Sequence, residues 1–271
     1  MYLTYYQTAQ GSQWAVDGQF LPKNVSLKLL LELPQTKLAD FLKATPTFGP
    51  AQGQLLPPIE SIHEVWACGV TYLRSRQARE AEAQTKDVYE KVYYAERPEL
   101  FFKSVGWRVV GHDMPIRIRQ DSRWNVPEPE LTLVVNCYGE IVGYCVGNDV
   151  SSRDIEGENP LYLPQAKMYN GACAIGPGIR LVTAEQLQDL PIQVDIIRSG
   201  ETVFQGETRS SQMKRPFAEL TAYLTREMDF PHGVFLMTGT GIVPAEDFSL
   251  QVDDVVRIDI ASLMLENWVK S

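Results

Sequence analysis

The strongest constraint on what this chain can fold into is a pair of apolar runs, Leu131-Thr-Leu-Val-Val135 and Ile141-Val-Gly-Tyr-Cys-Val146, separated by Asn136-Cys137-Tyr138-Gly139. The spacer carries turn chemistry, so the two runs read as neighbouring strands of one hairpin. Acidic residues stand where the open end of that hairpin must be. Glu128 and Glu130 flank Pro129 ahead of the first run, and Asp149 closes the second. In an extended strand, residues i and i+2 share a face with Cα atoms roughly 6.5 Å apart, so both glutamates can address one ion. The hairpin returns Asp149 toward them. The pattern therefore predicts a divalent-metal site on Glu128, Glu130 and Asp149. Oxygen ligands with no adjacent His or Cys favour a hard ion that keeps waters for a substrate, Mg²⁺ before Mn²⁺ or Ca²⁺.

A Glu-x-Glu pair on a strand is by itself most often a solvated face. Pro129 argues for more, because a residue without an N–H places this strand end at an edge or rim of the sheet. The following Ser151-Ser152-Arg153-Asp154 has the form of a helix N-cap box. That pattern accounts for Ser151 and Asp154 without any site, but not for Asp149.

A length of 271 residues with 44% hydrophobic content supplies a large core. The net charge of -9 argues against nucleic acid or an anionic membrane as partner, since both require clustered Lys and Arg. An anionic small substrate needs local help, which a metal ion with a nearby lysine provides. No stretch of 18 apolar residues occurs, and Met1-Tyr-Leu-Thr-Tyr-Tyr-Gln7 lacks the basic start and apolar centre of a signal peptide, so a cytoplasmic location is expected. Cys68, Cys137, Cys145 and Cys173 show no paired spacing and read as reduced core residues. The histidines, His63, His112 and His232, stand in isolated contexts that fit neither a catalytic triad nor a zinc site. His112, in a turn, is the one placed to border a site.

Residues 1–60 hold strand-like runs, the turn Val16-Asp-Gly-Gln19, a helical stretch around Leu38–Lys43 and a Pro/Gly-rich exit, and read as a small N-terminal domain. The rest, 61–271, reads as a β-rich body. Within it, Ser75–Ala95 alternates charge in the manner of an exposed helix. Its position directly after the buried run Trp66–Tyr72 marks it as a candidate lid. An amphipathic helix is expected near Phe217–Glu227, and a closing strand over Val255–Ile260.

Taken in order, Arg97-Pro-Glu-Leu-Phe-Phe-Lys103, Glu128-Pro-Glu-Leu131, Gly147-Asn-Asp-Val-Ser-Ser-Arg-Asp-Ile155, Lys167, Thr238-Gly-Thr-Gly241 and Leu265-Glu-Asn-Trp-Val269 resemble the catalytic core of the fumarylacetoacetate hydrolase family. The resemblance spans residues 65 to 270. It implies an α+β fold with a rolled, β-rich mixed sheet, a smaller N-terminal domain and a homodimer or homotetramer. It also implies that Glu128, Glu130 and Asp149 hold Mg²⁺ and that Lys167 is the active-site lysine.

Hydrolytic members of that family carry Gly-x-Asn-Tyr-x-x-His-x-x-Glu at the site entrance. This chain reads Gly69-Val-Thr-Tyr-Leu-Arg-Ser-Arg-Gln-Ala78, with Ser75 in place of the histidine and Ala78 in place of the glutamate. Serine is no base near neutral pH, so hydrolysis of a C–C bond by that dyad is disfavoured. The sequence resembles instead the branch of the family that dehydrates 2-keto-3-deoxy sugar acids of pentose catabolism. On such a 2-keto acid, Lys167 and Glu99 are the expected catalytic groups. Lys103, Thr240, Arg74 and Ser75 are the expected substrate contacts. Hydrolysis or decarboxylation of 2,4-dioxo acids or oxaloacetate, with water activated by a residue such as Glu99, is the alternative.

Overall fold

The computed structural model describes residues 1–82 and 87–271, with the side chains of 79–82 and 87–89 also outside the description. The predicted hairpin is its centre. Strands Pro129–Val135 and Ile141–Asp149 pair antiparallel, with Gly147 opposite Glu130 and Asn148 opposite Pro129. Gly139 takes φ +76°, a value only glycine adopts freely, to close the turn. The hairpin lies inside a ten-stranded sheet, between Cys173–Leu181 on one side and Val234–Met237 on the other. Pro129 is therefore not on an edge strand. It is the first residue of an interior strand, beyond the end of the ladder with Val234–Met237, whose last pair is Met237 opposite Thr132.

Both hairpin strands are buried along their whole length because the sheet is covered on both faces. Leu131, Leu133 and Val135 face a core shared with a five-stranded sheet and the helix Phe217–Leu224. Val134 and Val142 face a second core, capped by Leu27, Leu30, Leu38 and Leu42 from the helices Leu27–Leu31 and Gln35–Ala44. The segment 1–60 thus supplies a helical cover. It also supplies the strand Tyr2–Thr8, which pairs with Cys173–Leu181 and extends the same sheet.

The large sheet is rolled. Strand Glu99–Val105 lies four places from Ile141–Asp149 in the sheet order, which in a flat sheet means about 19 Å at ~4.8 Å per strand. Yet Lys103 Nζ lies 2.5 Å from Asp149 Oδ1. The next segment completes the closure, with Val110 N donating to Cys173 O and Ile175 N to Val110 O. The architecture is the mixed, strand-rich α+β fold expected.

Other elements differ in detail. Within the stretch expected as a helix over Ser75–Ala95, Leu73–Glu82 and Asp87–Tyr94 are helical; residues 83–86, at the centre of the predicted lid, lie outside the described residues. Beyond the expected strand Val255–Ile260 the chain turns at Ala261 and adds a further strand, Leu263–Lys270, which buries alternate residues. Among the described residues, no helix is long and apolar enough to cross a membrane. All four cysteines are free thiols.

Candidate active site

Rolling the sheet brings the ends of its central strands together on the face opposite the five-stranded sheet, and the acidic residues converge there. One carboxylate oxygen from each of Glu128, Glu130 and Asp149 lies within 4.8 Å of the others, and all three side chains are buried. Buried anions at this spacing require cations. Lys167, the last residue of the short helix Leu163–Lys167, donates to Glu128 Oε2 at 2.7 Å, Asp149 Oδ2 at 3.0 Å and Ser151 Oγ at 2.7 Å. Arg153 Nη2 donates to the other oxygen of Glu128 at 2.7 Å. Lys103 pairs with Asp149 Oδ1 and also donates to the carbonyls of Val150 and Lys167.

Glu130 receives the N–H of Gly239 at 2.6 Å. Burial, followed by repulsion from Asp149 and Glu128, pushes its pKa well above the ordinary carboxylate value. A bound cation relieves both causes. Cys68 also lines the cavity, but burial and the nearby charges of Glu130 and Glu99 push its thiol pKa well up. Among the described residues, the side-chain donors that converge here are carboxylate oxygens alone, which fits a hard divalent ion.

Mg²⁺ binding follows with a definite pH dependence. The metal takes the ionised form of Glu130, so affinity should tighten as pH rises from about 4.5 toward the raised value, with release of up to one proton per ion. The linked effect on the metal-free protein has the opposite sign. The folded state holds this proton more tightly than the unfolded chain, so in EDTA stability should fall as pH rises through the same window. Calorimetric titration in buffers of differing ionisation enthalpy, and thermal unfolding with and without Mg²⁺, check both statements.

Glu128 and Glu130 form one wall of a narrow cavity of about 20 Å³, room for about one water molecule or an ion. Glu99, Phe101, Ser75, Glu156 and Thr240 line the remainder. Gly69 lets the Glu99 carboxylate lie against the backbone, since a Cβ there would stand 2.0 Å from Glu99 Oε2. Thr71 Oγ1 donates to Thr238 O at 2.7 Å and ties the segment after Gly69 to the loop of Gly239 and Thr240. Gly239 has φ +93°, and a Cβ on it would meet Thr71 Oγ1 at 2.0 Å. Gly239→Ala should therefore displace the N–H that holds Glu130. A stability loss on the order of 1–3 kcal/mol in thermal unfolding and weaker Mg²⁺ binding by calorimetry are expected.

Of the residues predicted for the site, Glu128, Glu130, Lys167, Glu99, Ser75 and Thr240 line this cavity, and Asp149 joins Glu128 and Glu130 in the acidic cluster. Arg74 and Lys103 do not line it. Arg74 is exposed, because at the start of the helix Leu73–Glu82 it is Tyr72 and Ser75 that turn inward. Lys103 is buried, with its ammonium engaged by Asp149 and two carbonyls. His112 accepts from Glu266 N, and among the described residues no histidine lines the cavity.

Ser151, Arg153 and Glu156 also belong to the site, and motif spacing alone does not single them out. The Ser151–Asp154 run has the sequence pattern of a capping box, but the helix Arg153–Glu158 starts with no side-chain cap bond. Ser151 accepts from Lys167, and Ser152 donates to Asn125 Oδ1. The signal that distinguishes the two readings is Arg153, a cation two residues from a run of buried strand.

Comparison with known proteins agrees with this geometry. Residues 64–270 match the family model described as fumarylacetoacetate (FAA) hydrolase, C-terminal. A probable 2-keto-3-deoxyxylonate dehydratase of Haloferax volcanii is 49% identical over 209 residues, covering 76% of this chain and 71% of that protein. A 2-dehydro-3-deoxy-D-arabinonate dehydratase of Saccharolobus solfataricus is 45% identical over 207 residues, 74% and 69% of the two chains. A solved structure of 2-keto-3-deoxy-D-arabinonate dehydratase complexed with magnesium and 2,5-dioxopentanoate superposes with a TM-score of 0.81 at 34% identity, over 100% of this chain and 99% of that one. With the matched segment carrying every residue of the acidic cluster and its lysines, the chain belongs to the fumarylacetoacetate hydrolase family.

Proposed function

We propose that the chain is a Mg²⁺-dependent hydro-lyase that converts a 2-keto-3-deoxy pentonate, such as 2-keto-3-deoxy-D-arabinonate, into 2,5-dioxopentanoate. The observation that carries the reading is the buried acidic cluster opening into a cavity whose remaining wall offers Glu99 and hydroxyl groups but no imidazole among the described residues. The likeness to dehydratases over about three quarters of the chain supports it. Glu128, Glu130 and Asp149 hold the ion. Bound there, Mg²⁺ supplies a Lewis acid for the substrate's 2-keto oxygen.

The chain's own residues divide the rest of the work. Lys167 has its ammonium protons directed at Glu128, Asp149 and Ser151, so it acts as a fixed positive charge that holds ligand geometry and offsets developing negative charge. Glu99, on the cavity wall, accepts the C3 proton, directly or through a water, and returns a proton to the departing C4 hydroxyl. Loss of that proton and hydroxide is one molecule of water, and the resulting 3,4-alkene tautomerises through its C5 carbinol to the aldehyde. Ser75 and Thr240 orient the substrate chain. No hydrolytic nucleophile is required, which is why Ser75 can replace the histidine of the hydrolases. The division at residue 60, a homodimer or homotetramer, a cytoplasmic setting and a place in pentose catabolism belong to the same proposal.

The test is a proton NMR time course with 2-keto-3-deoxy-D-arabinonate and Mg²⁺ in deuterated buffer, beside an EDTA-treated control. An aldehyde resonance with no second acid fragment, abolished by EDTA, is the expected outcome. Unchanged substrate would overturn the assignment, and two acid products would point to hydrolysis.

A further inference from the structure

Val70, on the cavity wall, has a backbone that valine rarely adopts. Its φ is +53°, in the left-handed region that a β-branched residue enters only when the surrounding structure imposes it. The residues after it supply that constraint. Thr71 Oγ1 is tied to Thr238 O at 2.7 Å, Thr71 O accepts from Lys214 N at 3.0 Å, and Tyr72 forms a bridge with Met213. A glycine would adopt this turn freely. What valine adds is a buried isopropyl group, and packed against it are Val92 and Tyr93 of the helix Asp87–Tyr94.

That contact joins two segments that both bear on Glu99. On one side, Gly69 precedes Val70, and the Glu99 carboxylate lies where a Cβ on Gly69 would stand. On the other, the helix runs through residues 95–98 into the strand Glu99–Val105. Arg215 holds this connection by donating to Glu96 O at 2.9 Å and Ala95 O at 2.5 Å, and the Lys214 ammonium donates to Tyr93 O. Lys214 thus fastens both sides, Thr71 through its backbone and Tyr93 through its side chain.

From this arrangement we infer that Val70 is a positioning residue for Glu99: its side chain seats the helix Asp87–Tyr94 against the segment on which the Glu99 carboxylate rests. The inference rests on the proposed role of Glu99 in proton transfer at C3. A base must stand within hydrogen-bond reach of the proton it removes, and small displacements caused far from the chemistry lower rates steeply. Glu130 and Asp149 stand on the central hairpin and Glu128 just ahead of it, so Mg²⁺ binding should not depend on the Val70 contact.

The experiment measures kcat with 2-keto-3-deoxy-D-arabinonate, Mg²⁺ affinity by calorimetry, and thermal unfolding, for Val70→Ala, Val70→Gly, Val92→Ala and the double variant Val70→Ala/Val92→Ala. Val70→Ala and Val92→Ala should each lower kcat about tenfold with Mg²⁺ affinity unchanged. The double variant should be no slower than the slower single one, whereas independent effects would multiply to about a hundredfold. Val70→Gly removes the φ penalty, so it should melt no lower than Val70→Ala and yet be as slow. Parental kcat in Val70→Gly would make the turn and not the contact responsible, and would overturn the inference. So would parental kcat in Val92→Ala, multiplying effects, or a loss of Mg²⁺ affinity that matches the loss of kcat. Absence of turnover in the unaltered protein would instead overturn the dehydratase reading, and the inference with it. Val92 is half-buried, so Val92→Ala keeps the test decisive even if the variants at Val70 do not fold.

Discussion

Glu130→Gln should abolish turnover while leaving the fold intact, with kcat/KM lowered on the order of a thousandfold. That figure corresponds to losing the several kcal/mol that a bound Lewis acid contributes, at about 1.4 kcal/mol per factor of ten. The substitution is nearly isosteric, and its amide oxygen can still accept the Gly239 N–H that now reaches Glu130. What disappears is one anion from a cluster in which burial and the charges of Asp149 and Glu128 already disfavour ionisation. In EDTA near neutral pH the variant should therefore be as stable as the parent or more so. With Mg²⁺ the order should reverse, because only the parent gains stability from the ion. Thermal unfolding with and without Mg²⁺, beside turnover, tests all of this. Full activity at low Mg²⁺ in the variant would sink the assignment of the metal site.

The three carboxylates were legible because their positions follow from local rules. A two-residue period puts Glu128 and Glu130 on one face, and a hairpin turn returns Asp149 to them in register. Lys167 and Thr240 came from motif resemblance, and both line the cavity. The placements of Lys103 and of the Ser-Ser-Arg-Asp run depend on long-range closure. Nothing local says that a strand four places away in the sheet will curl round until Lys103 touches Asp149. From spacing alone Lys103 shares a face with Glu99 and Phe101, and a lysine there invites assignment to a substrate carboxylate. The Ser-Ser-Arg-Asp run failed for a related reason. Its local pattern fits a helix start, and only tertiary packing turns Ser151 toward Lys167 and Arg153 toward Glu128. Arg74 and Ser75 are adjacent in sequence, and helix phase alone puts one in solvent and the other in the site.

Lys103→Met provides the sharpest separation between a residue that meets substrate and one that builds the site. Both partners of its ion pair are shielded from solvent, at 0% and 1% side-chain exposure. Removing one member of a buried pair costs about 3–5 kcal/mol, and here it leaves Asp149 with Lys167 as its one remaining cation among the described residues. In a chain of this size that should lower the melting temperature on the order of 10 °C in EDTA. The methionine fills most of the volume, so the loss is electrostatic and not a packing defect. Glu128, Glu130 and Asp149 would then face two cations, Lys167 and Arg153, in place of three. A bound divalent ion supplies the missing positive charge, so saturating Mg²⁺ should restore a large part of the lost stability. Such metal-dependent rescue is the signature of a lysine that neutralises Asp149. A lysine holding the substrate carboxylate would instead raise KM and leave the EDTA melting temperature where it was. Thermal unfolding in EDTA and in Mg²⁺, set beside KM for the same protein, decides between the two.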